Sequence, residues 1–499
     1  MNSASSIVLN IAGTPPYKNA VAISLALLAA GLAYVLAPFA NEKPAVAVAA
    51  TVFPLLTMVL LALPVLGCLK FGPRILLVLL ALRPLLDVSR SFETITAGMT
   101  LKASSAITLQ DAFAAIFGLL LLAVWVAEGE RCGCRRWPNM FLIVLLGLTS
   151  LSWLIGGLGE GARGFARTAW GLLVALMLGS IFHTEKQIDT FIRTVFYSSF
   201  FVLLTLGLNL SQGVEGVAHD ALDEVWRLAG QYGSPNALAG VAFSFFLYGL
   251  YVLGRAQTVF GKFRSLLPLS LLAAVIVSTQ SRTVGGLMLV SVGLWLWASG
   301  RRRLVFGITA AMLVFALASS SLTRWRLISS FSLMNEQINP NVLTLQGRMV
   351  LWGEWMVNYL HASLFHRVFG LGWGAVLRIF LSMGFFKSSV TENSFLWFLV
   401  GTGALGLLAF CAYLFWVLFK SWGACRRASN NFEKQFALLV FLTAICFVVE
   451  AFTTDVASAP NADVYIFAVM SIFVFQRSRK TDPRSSKEAG NAITHESEI

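Results

Sequence analysis

The chain has 499 residues, of which 57% are hydrophobic and 12% are charged, and its mean hydropathy is +0.76. Soluble domains carry about 25% charged residues, so this composition excludes a soluble globular protein and indicates a polytopic membrane protein. The formal net charge of +13 does not indicate nucleic-acid binding, because the Lys and Arg residues lie in short clusters between apolar stretches, as orientation signals do.

Fourteen apolar stretches are candidate membrane spans, although some are shorter than the roughly 17–25 residues that a spanning helix needs. In chain order they lie near residues 20–40, 45–68, 73–88, 106–127, 139–157, 165–183, 192–210, 235–254, 265–281, 283–299, 303–320, 395–419, 435–454 and 463–476. Only helices and closed barrels satisfy every backbone polar group inside a bilayer. The sequence therefore predicts an all-α fold, a polytopic transmembrane helical bundle of about 12–14 spans.

The distribution of Lys and Arg predicts the orientation of these spans, because cytoplasmic loops carry an excess of both residues. Most basic clusters fall on one side of the membrane if both termini are cytoplasmic. The predicted segments are a cytoplasmic N-terminal segment at 1–19, the first part of the bundle at 20–320, a large periplasmic loop at 321–392, the C-terminal part of the bundle at 393–476 and a disordered cytoplasmic tail at 477–499.

The predicted periplasmic loop is basic, although loops on that side normally exclude Lys and Arg. It contains no Asp and no Cys, and its acidic residues are Glu336, Glu354 and Glu392. An anionic ligand at the outer membrane face would explain the excess of positive charge. Because the loop lacks Asp and has only two His residues, we expect no metal site in it.

Two short stretches before this loop combine polar residues with the ends of apolar spans. In the first, at 225–240, Pro235 fits the first position of a helix whose positive N-terminus suits an anion, and Arg227 lies shortly before it. In the second, at 277–290, Arg282 occupies a tight turn, and Gly285 and Gly286 predict a close approach of the backbones. Plain helix capping, with both arginines reaching to lipid phosphates, is the alternative interpretation.

Two further stretches lie in the loop and at its end. If 347–360 is helical, Arg348, Trp352 and Trp355 share one face, which suits either sugar rings or the membrane interface. The glycines that follow, at 370 and 372, predict a tight turn or a close backbone approach. At the mouth of the next span, Asn393 is a candidate helix cap, and Glu392 is either part of that cap or a chemical group.

The order of these motifs resembles the O-antigen ligase and Wzy-type polysaccharide polymerase superfamily, over roughly residues 70–480. The matching elements are Arg227 to Asn236, Ser281-Arg282, Arg348 with Trp352, Gly370-Leu371-Gly372, and Glu392-Asn393-Ser394-Phe395-Leu396 followed by Gly403 and Gly406. Members of this superfamily transfer glycans from undecaprenyl diphosphate carriers on the periplasmic face of the bacterial inner membrane. The resemblance also implies a GT-C-like bundle whose large periplasmic loop contains short helices.

The resemblance implies an enzyme, a glycosyltransferase for exopolysaccharide or O-antigen synthesis. The lack of Asp in the loop predicts that it is metal-independent, a single displacement step predicts that it inverts the anomeric centre, and no cofactor is expected. The implied roles are catalytic for Glu392, Arg282 and Arg348, and substrate-binding for Arg227, Asn236, Trp352 and Asn393. Glu392 is the expected base, and His361 and His366 are the next candidates. The implied partners are the lipid-linked donor, a glycan acceptor and the bilayer, with room for a chain-length regulator and a flippase, and no nucleic acid.

One departure from the family pattern bears on the acceptor. O-antigen ligases of this superfamily typically have His where Glu392 stands, so the chain looks more like a polymerase of repeat units. Three alternatives stay open: a ligase that acts on lipid A-core, a lipid-linked glycan flippase or transporter, and a structural partner in an export complex. A flippase is expected to carry charges along a central path through the spans, whereas the charges of this chain gather near the span ends.

Overall fold

The computed structural model describes residues 74, 76–78, 80, 81, 117, 118, 121, 124, 140–157, 162–182, 184–211, 217–220, 225–228, 235–279, 281–304, 345–375, 393–453 and 463–480. Its helices are α1 (Met140–Gly156), α2 (Ala162–Ile181), α3 (Glu185–Ser211), α4 (Pro235–Arg255), α5 (Val259–Ser278), α6 (Arg282–Ala298), α7 (Leu345–His361), α8 (Leu364–Phe369), α9 (Ser394–Arg427), α10 (Asn431–Thr453) and α11 (Asp463–Lys480). Its strands are β1 (Val217–Asp220) and β2 (Val225–Leu228).

Contacts divide the chain into two compact units, the first formed by residues 1–137 and 180–208. Within this unit, α3 begins with a reciprocal capping box, because Thr184 and Gln187 each donate a backbone N–H to the other's side-chain oxygen. Its start is also covered by the Phe182 ring, whose centroid lies 5.1 Å from that of Phe191.

The second unit, residues 138–179 and 209–499, contains a bundle of apolar helices. Among the described residues, four helical segments are long and apolar enough to cross a membrane: Pro235–Arg255, Val259–Ser278, Ser394–Arg427 and Asn431–Phe452. The coarse prediction of a membrane-embedded helical protein is confirmed by these segments. Helix α5 keeps many apolar side chains exposed, among them Phe260 and Phe263, as a lipid-facing helix does.

Each predicted span between 139 and 299, and each one after 393, overlaps a helix whose ends differ from the predicted ones by up to eight residues. The predicted spans near 20–40, 45–68 and 303–320 lie outside the described residues, and those near 73–88 and 106–127 are described only at isolated positions. The total number of spans, the position of the loop in the periplasm and the orientation of the termini stay predictions.

The long helices of the second unit alternate in direction. Helices α9 and α10 are antiparallel, since the Phe395 ring lies 4.4 Å from that of Phe452. Helix α4 is antiparallel to α10, because Gly240 lies beside Glu450 and Gly254 beside Gln435. Helix α6 also runs antiparallel to α10, as its contacts through Ser291 with Cys446 and Trp295 with Gln435 require.

Helices α4, α6 and α9 therefore all begin at one end of the bundle, which we call the upper end. We call the end where they finish the lower end. Helix α1 is antiparallel to α9 and finishes toward the upper end, since Phe141 packs against Tyr413 whereas Ser152 contacts Gly401.

The all-α prediction omits one element, a two-stranded antiparallel hairpin. Strand β1 pairs with β2 in a register that places Val217 opposite Leu228 and Ala218 opposite Arg227. Strand β2 contacts α4 and α5. A strand of four residues is too short to give an alternation pattern that stands out beside apolar spans, so sequence periodicity missed it.

Candidate functional site

The most unusual backbone of the bundle is a break inside α9 at Gly403, where φ is 74° and ψ is −173°. In an uninterrupted helix each carbonyl accepts the N–H four residues later. Around this break, the carbonyls of Val400 and Gly401 instead accept the N–H groups of Leu371 (2.8 Å) and Gly372 (3.3 Å). The segment that follows α8 is thus hydrogen-bonded to the first third of α9, about 13 Å from the start of this helix.

Gly370 and Gly372 form this docked segment, with φ of 94° and 84°. Both conformations lie in the region that favours glycine. A Cβ on Gly370 would lie 2.7 Å from the Thr402 nitrogen, and a Cβ on Gly372 would lie 2.8 Å from the Ser152 carbonyl oxygen. The prediction of a close backbone approach by these two glycines is confirmed. By contrast, no described heavy atom lies within 4 Å of a Cβ placed on Gly285 or Gly286, so the described residues show no close approach there.

A buried hydrophobic cluster, which is mostly aromatic and which we call the tryptophan cluster, lies around the docked segment. Its buried members are Trp355, Tyr359, Trp373, Trp397 and Val400. The Trp373 indole donates to the Thr149 carbonyl (3.1 Å), and the Trp397 indole donates to the Thr168 hydroxyl (3.0 Å). This tryptophan cluster connects α7 and the docked segment to α1, α2 and α9, so it fixes the place of α7 at the bundle.

The two tryptophans of the aromatic face predicted on α7 differ in how far protein covers them. The helix extends over the predicted stretch, and Trp352 is half-buried, as a side chain that contacts a ligand at one edge can be. Trp355 is 1% exposed and belongs to the tryptophan cluster. A ring that is fully covered by protein cannot stack on a sugar, so the shared sugar-binding face is wrong for Trp355.

Asn393 caps helix α9. Its side-chain oxygen accepts the backbone N–H groups of Phe395 (2.9 Å) and Leu396 (3.1 Å). Since Asn393 alone satisfies two of the free N–H groups at this helix start, capping is accounted for without the preceding residue. Glu392 itself lies outside the described residues, and its role as a base stays a prediction.

The three candidate arginines lie in different secondary-structure elements. Arg282 is the first residue of α6, after a turn in which Thr279 Oγ1 accepts the Ser281 N–H (3.3 Å). Arg348 lies in the first turn of α7. Arg227 lies in strand β2. The tight turn that the sequence predicts before Arg282 is confirmed, since α5 ends at Ser278.

The structure brings the segments that carry these residues to the upper end. Asn236, Arg282 and Asn393 lie at the starts of α4, α6 and α9. Helix α7, which carries Arg348, is connected there because its Trp355 packs in one cluster with Trp397, one turn after the α9 cap. Strand β2 contacts α4 and α5, of which α5 finishes at the same end.

The other candidate bases lie shortly after Trp355 in the sequence, His361 at the end of α7 and His366 in α8. His361 is exposed, and His366 Nδ1 lies 2.8 Å from the Ser363 hydroxyl. On the same helix as His361, the Tyr359 hydroxyl donates to the Arg367 carbonyl (2.5 Å). Burial raises the pKa of Tyr359, and the nearby Arg367 charge opposes that shift in part.

Sequence reasoning missed two residues of this end. Trp373 lies inside the glycine-rich segment, but only the fold shows that it anchors this segment to α1. The second residue is Glu450, whose carboxyl group the structure places against Gly240, five residues after the start of α4. A glycine and a glutamate separated by 210 residues give no pairing signal in a single sequence.

No model of a protein family matches the chain, and no curated protein matches it. The motif resemblance and the geometry of the upper end are therefore the basis on which a function is proposed.

Proposed function

We propose that this protein is a membrane glycosyltransferase that polymerises oligosaccharide repeat units carried on undecaprenyl diphosphate at the periplasmic face of the bacterial inner membrane. The observation that supports the proposal is the gathering at the upper end of the segments that carry Arg227, Asn236, Arg282, Arg348 and Asn393. These segments belong to five different elements, which extend from residue 225 to beyond residue 393. Segments with cationic and polar residues, gathered at one end of an apolar bundle, suit a ligand with an anionic head and a lipid tail.

The arginines stabilise the leaving group in the proposed reaction. The acceptor hydroxyl oxygen attacks the anomeric carbon, the bond from that carbon to the diphosphate oxygen breaks, and the electron pair leaves with the diphosphate. Arg282 and Arg348 bind the charge that develops on this group, each through hydrogen bonds worth about 1.5–3 kcal/mol. Preorganised donors of this kind commonly supply a large part of an enzymatic rate enhancement.

Glu392 is the proposed base for the acceptor hydroxyl. It directly precedes Asn393 in the sequence, the residue that caps α9 at the upper end. The proton of the hydroxyl passes to its carboxylate as the new glycosidic bond forms. A single displacement of this kind inverts the anomeric centre. Trp352 and Asn236 contribute to substrate binding, and no metal ion takes part.

The test uses purified protein in nanodiscs with a lipid-linked repeat unit as donor and acceptor. We expect Arg282→Lys and Arg348→Lys to lose donor binding and rate, because Lys keeps the charge but lacks the planar fork of Arg. Glu392→Gln is expected to keep donor binding and lose transfer. Arg426→Lys, at the exposed lower end of α9, is the matched control and is expected to behave as the wild type.

The products distinguish the proposal from its rivals. Longer lipid-linked chains support a polymerase, whereas transfer to added lipid A-core without lengthening would identify a ligase. Movement of the donor across the membrane without any new glycosidic bond would identify a flippase. Activity is expected to survive EDTA, and a loss that Mg²⁺ or Mn²⁺ restores would contradict the arginine mechanism.

A further inference from the structure

Helices α4 and α10 contact each other at two glycines of α4, one toward each end of the bundle. We call each of these places a glycine notch. At the upper notch, a Cβ on Gly240 would lie 2.7 Å from Glu450 Oε1. At the lower notch, a Cβ on Gly254 would lie 2.6 Å from Gln435 Cδ. In both cases a polar side chain of α10 occupies the space that the missing side chain of α4 leaves. The two notches have the same construction, but only the upper one holds a carboxyl group.

The upper notch lies directly beneath the gathered segments. Asn236 precedes Gly240 by four residues on α4, so it lies on the same face, about 6 Å closer to the upper end. On α10, Glu450 follows Cys446 by four residues, and Cys446 Sγ lies 3.2 Å from Ser291 Oγ of α6. Arg282 precedes Ser291 by nine residues, about 13 Å along α6. Measured along the helix axes, Glu450 therefore lies about 7 Å closer to the lower end than Asn236 and Arg282 do.

A carboxyl group at this place is costly unless the surrounding protein holds it. Glu450 is 5% exposed and lies within an apolar helix. Ionisable residues inside membrane bundles are rare, because they are expensive to bury, and they commonly mark functional positions. Packing alone does not require one, since Gln435 fills the equivalent lower notch without a charge.

We propose that Glu450 is a positioning residue for the upper end. Its side chain holds the start of α4 against α10 and α6. Its carboxyl group contacts the backbone of α4 at Gly240, and its helix contacts α6 one turn further down, through Cys446. Through these contacts it sets the relative places of Asn236 and Arg282. The effect on glycan transfer rests on the proposed function, whereas the effect on the position of α4 does not.

The experiment compares Gly240→Ala with Gly254→Ala, the same substitution in the same helix at the two notches. In each variant the added methyl group displaces the end of one flexible side chain. The first readout is the rate at which an impermeant maleimide labels a cysteine introduced at the exposed Ala237, measured by peptide mass spectrometry. The second readout is kcat/KM for transfer from the lipid-linked repeat unit, measured without the introduced cysteine.

We expect Gly240→Ala to change the labelling rate and to lower kcat/KM by about 100-fold, the scale that a displacement of about 1 Å causes. Gly254→Ala is expected to leave both values unchanged. The double variant Gly240→Ala with Glu450→Asp is expected to recover both, because the shorter side chain keeps the carboxyl group and makes room for the methyl group. If Gly240→Ala is not recovered folded, Glu450→Asp alone provides the same two readouts.

The outcomes separate the two proposals. Altered labelling that Glu450→Asp restores, in a protein whose wild type transfers no glycan, would overturn the proposed function and support the positioning role. Normal labelling and normal kcat/KM in Gly240→Ala would overturn the positioning role alone. Equal losses in Gly240→Ala and Gly254→Ala would also overturn it, since both notches would then serve packing only.

Discussion

The upper and lower ends of the bundle both terminate a set of apolar helices, but the backbone and side chains that do so differ. At the lower end, α9 finishes with exposed Arg426 and Arg427, and α10 begins after a short turn in which the Asn430 side chain accepts the Glu433 N–H (2.8 Å). Basic residues at a helix C-terminus and a short polar cap are ordinary solutions. The positive φ found at this end, 79° at Gly300, is the common glycine termination of a helix, since Gly300 and Arg301 donate their N–H groups to carbonyls in the last turns of α6.

At the upper end, a loop segment enters the bundle and α9 breaks to receive it. Gly370, Gly372 and Gly403 all adopt positive φ within one set of mutual contacts. Non-helical backbone at membrane depth is tolerated only where protein covers it, and the tryptophan cluster provides that cover. Backbone conformations of this kind are costly and concentrate at functional sites. The difference teaches that the upper end is built for more than helix termination.

The largest expected effect comes from removing one ring of the tryptophan cluster. We expect Trp397→Ala to destabilise the protein by about 3–5 kcal/mol, because it leaves a large cavity and removes the hydrogen bond to Thr168. Trp422→Ala, in the same helix near the lower end, removes a ring that is 38% exposed and is expected to cost less. Thermal unfolding in detergent measures both, and equal losses would contradict the difference between the ends.

The next effect concerns the break in α9. We expect Gly403→Ala to be destabilising by about 1–3 kcal/mol from backbone conformation alone, with a further loss from overlap with Val368. Gly423→Ala, in a regular lower part of the same helix, meets only the flexible end of Arg427. That control is expected to be neutral or to gain up to about 1 kcal/mol. A neutral Gly403→Ala in the same unfolding assay would show that α9 can run unbroken.

A smaller effect separates capping from function. Asn393→Ala and Asn430→Ala remove helix caps at opposite ends, and each is expected to cost about 0.5–2 kcal/mol. Only Asn393→Ala is expected to reduce glycan transfer beyond its loss of stability. Calorimetry and the transfer assay on the same preparations make the comparison, and a matching loss of transfer in Asn430→Ala would reduce Asn393 to a cap.

The smallest expected effect is at Tyr359. Tyr359→Phe removes the hydrogen bond to the Arg367 carbonyl and is expected to cost about 0.5–1.5 kcal/mol near neutral pH. Because burial raises the pKa of Tyr359, the folded protein keeps this proton to higher pH than the unfolded chain does. The contribution to stability therefore falls as pH rises above about 10, the usual tyrosine value. Unfolding at pH 9 and pH 11 is expected to show a shallower decline in Tyr359→Phe, and an unchanged decline would contradict the assignment.

Local signals in the sequence predicted the local features of the upper end. Pro235 begins α4, Asn393 caps α9, and Gly370 and Gly372 make close contacts, because each of these residue types has its own backbone preference. The proposed chemical roles of Glu392 and Arg348 are not tested by these features.

Features that depend on distant contacts could not be predicted in the same way. The pattern at Gly403 and Gly406 does not reveal that α9 breaks, because the break depends on a loop 30 residues earlier that supplies new N–H donors. Helical spacing predicted that Trp355 shares a face with Arg348 and Trp352, but it could not show that the tryptophan cluster covers the Trp355 ring. The pairing of Gly240 with Glu450 likewise exists only once α4 and α10 are packed.

Photo-crosslinking with an undecaprenyl diphosphate glycan that carries a photoreactive group near the diphosphate tests the central claim most directly. The account predicts labelled peptides from the upper end, within 225–240, 281–290, 345–361 and 393–400, and competition by unlabelled donor. Labelling confined to the lower end, within 255–262 and 426–434, or labelling that unlabelled donor does not reduce, would contradict it.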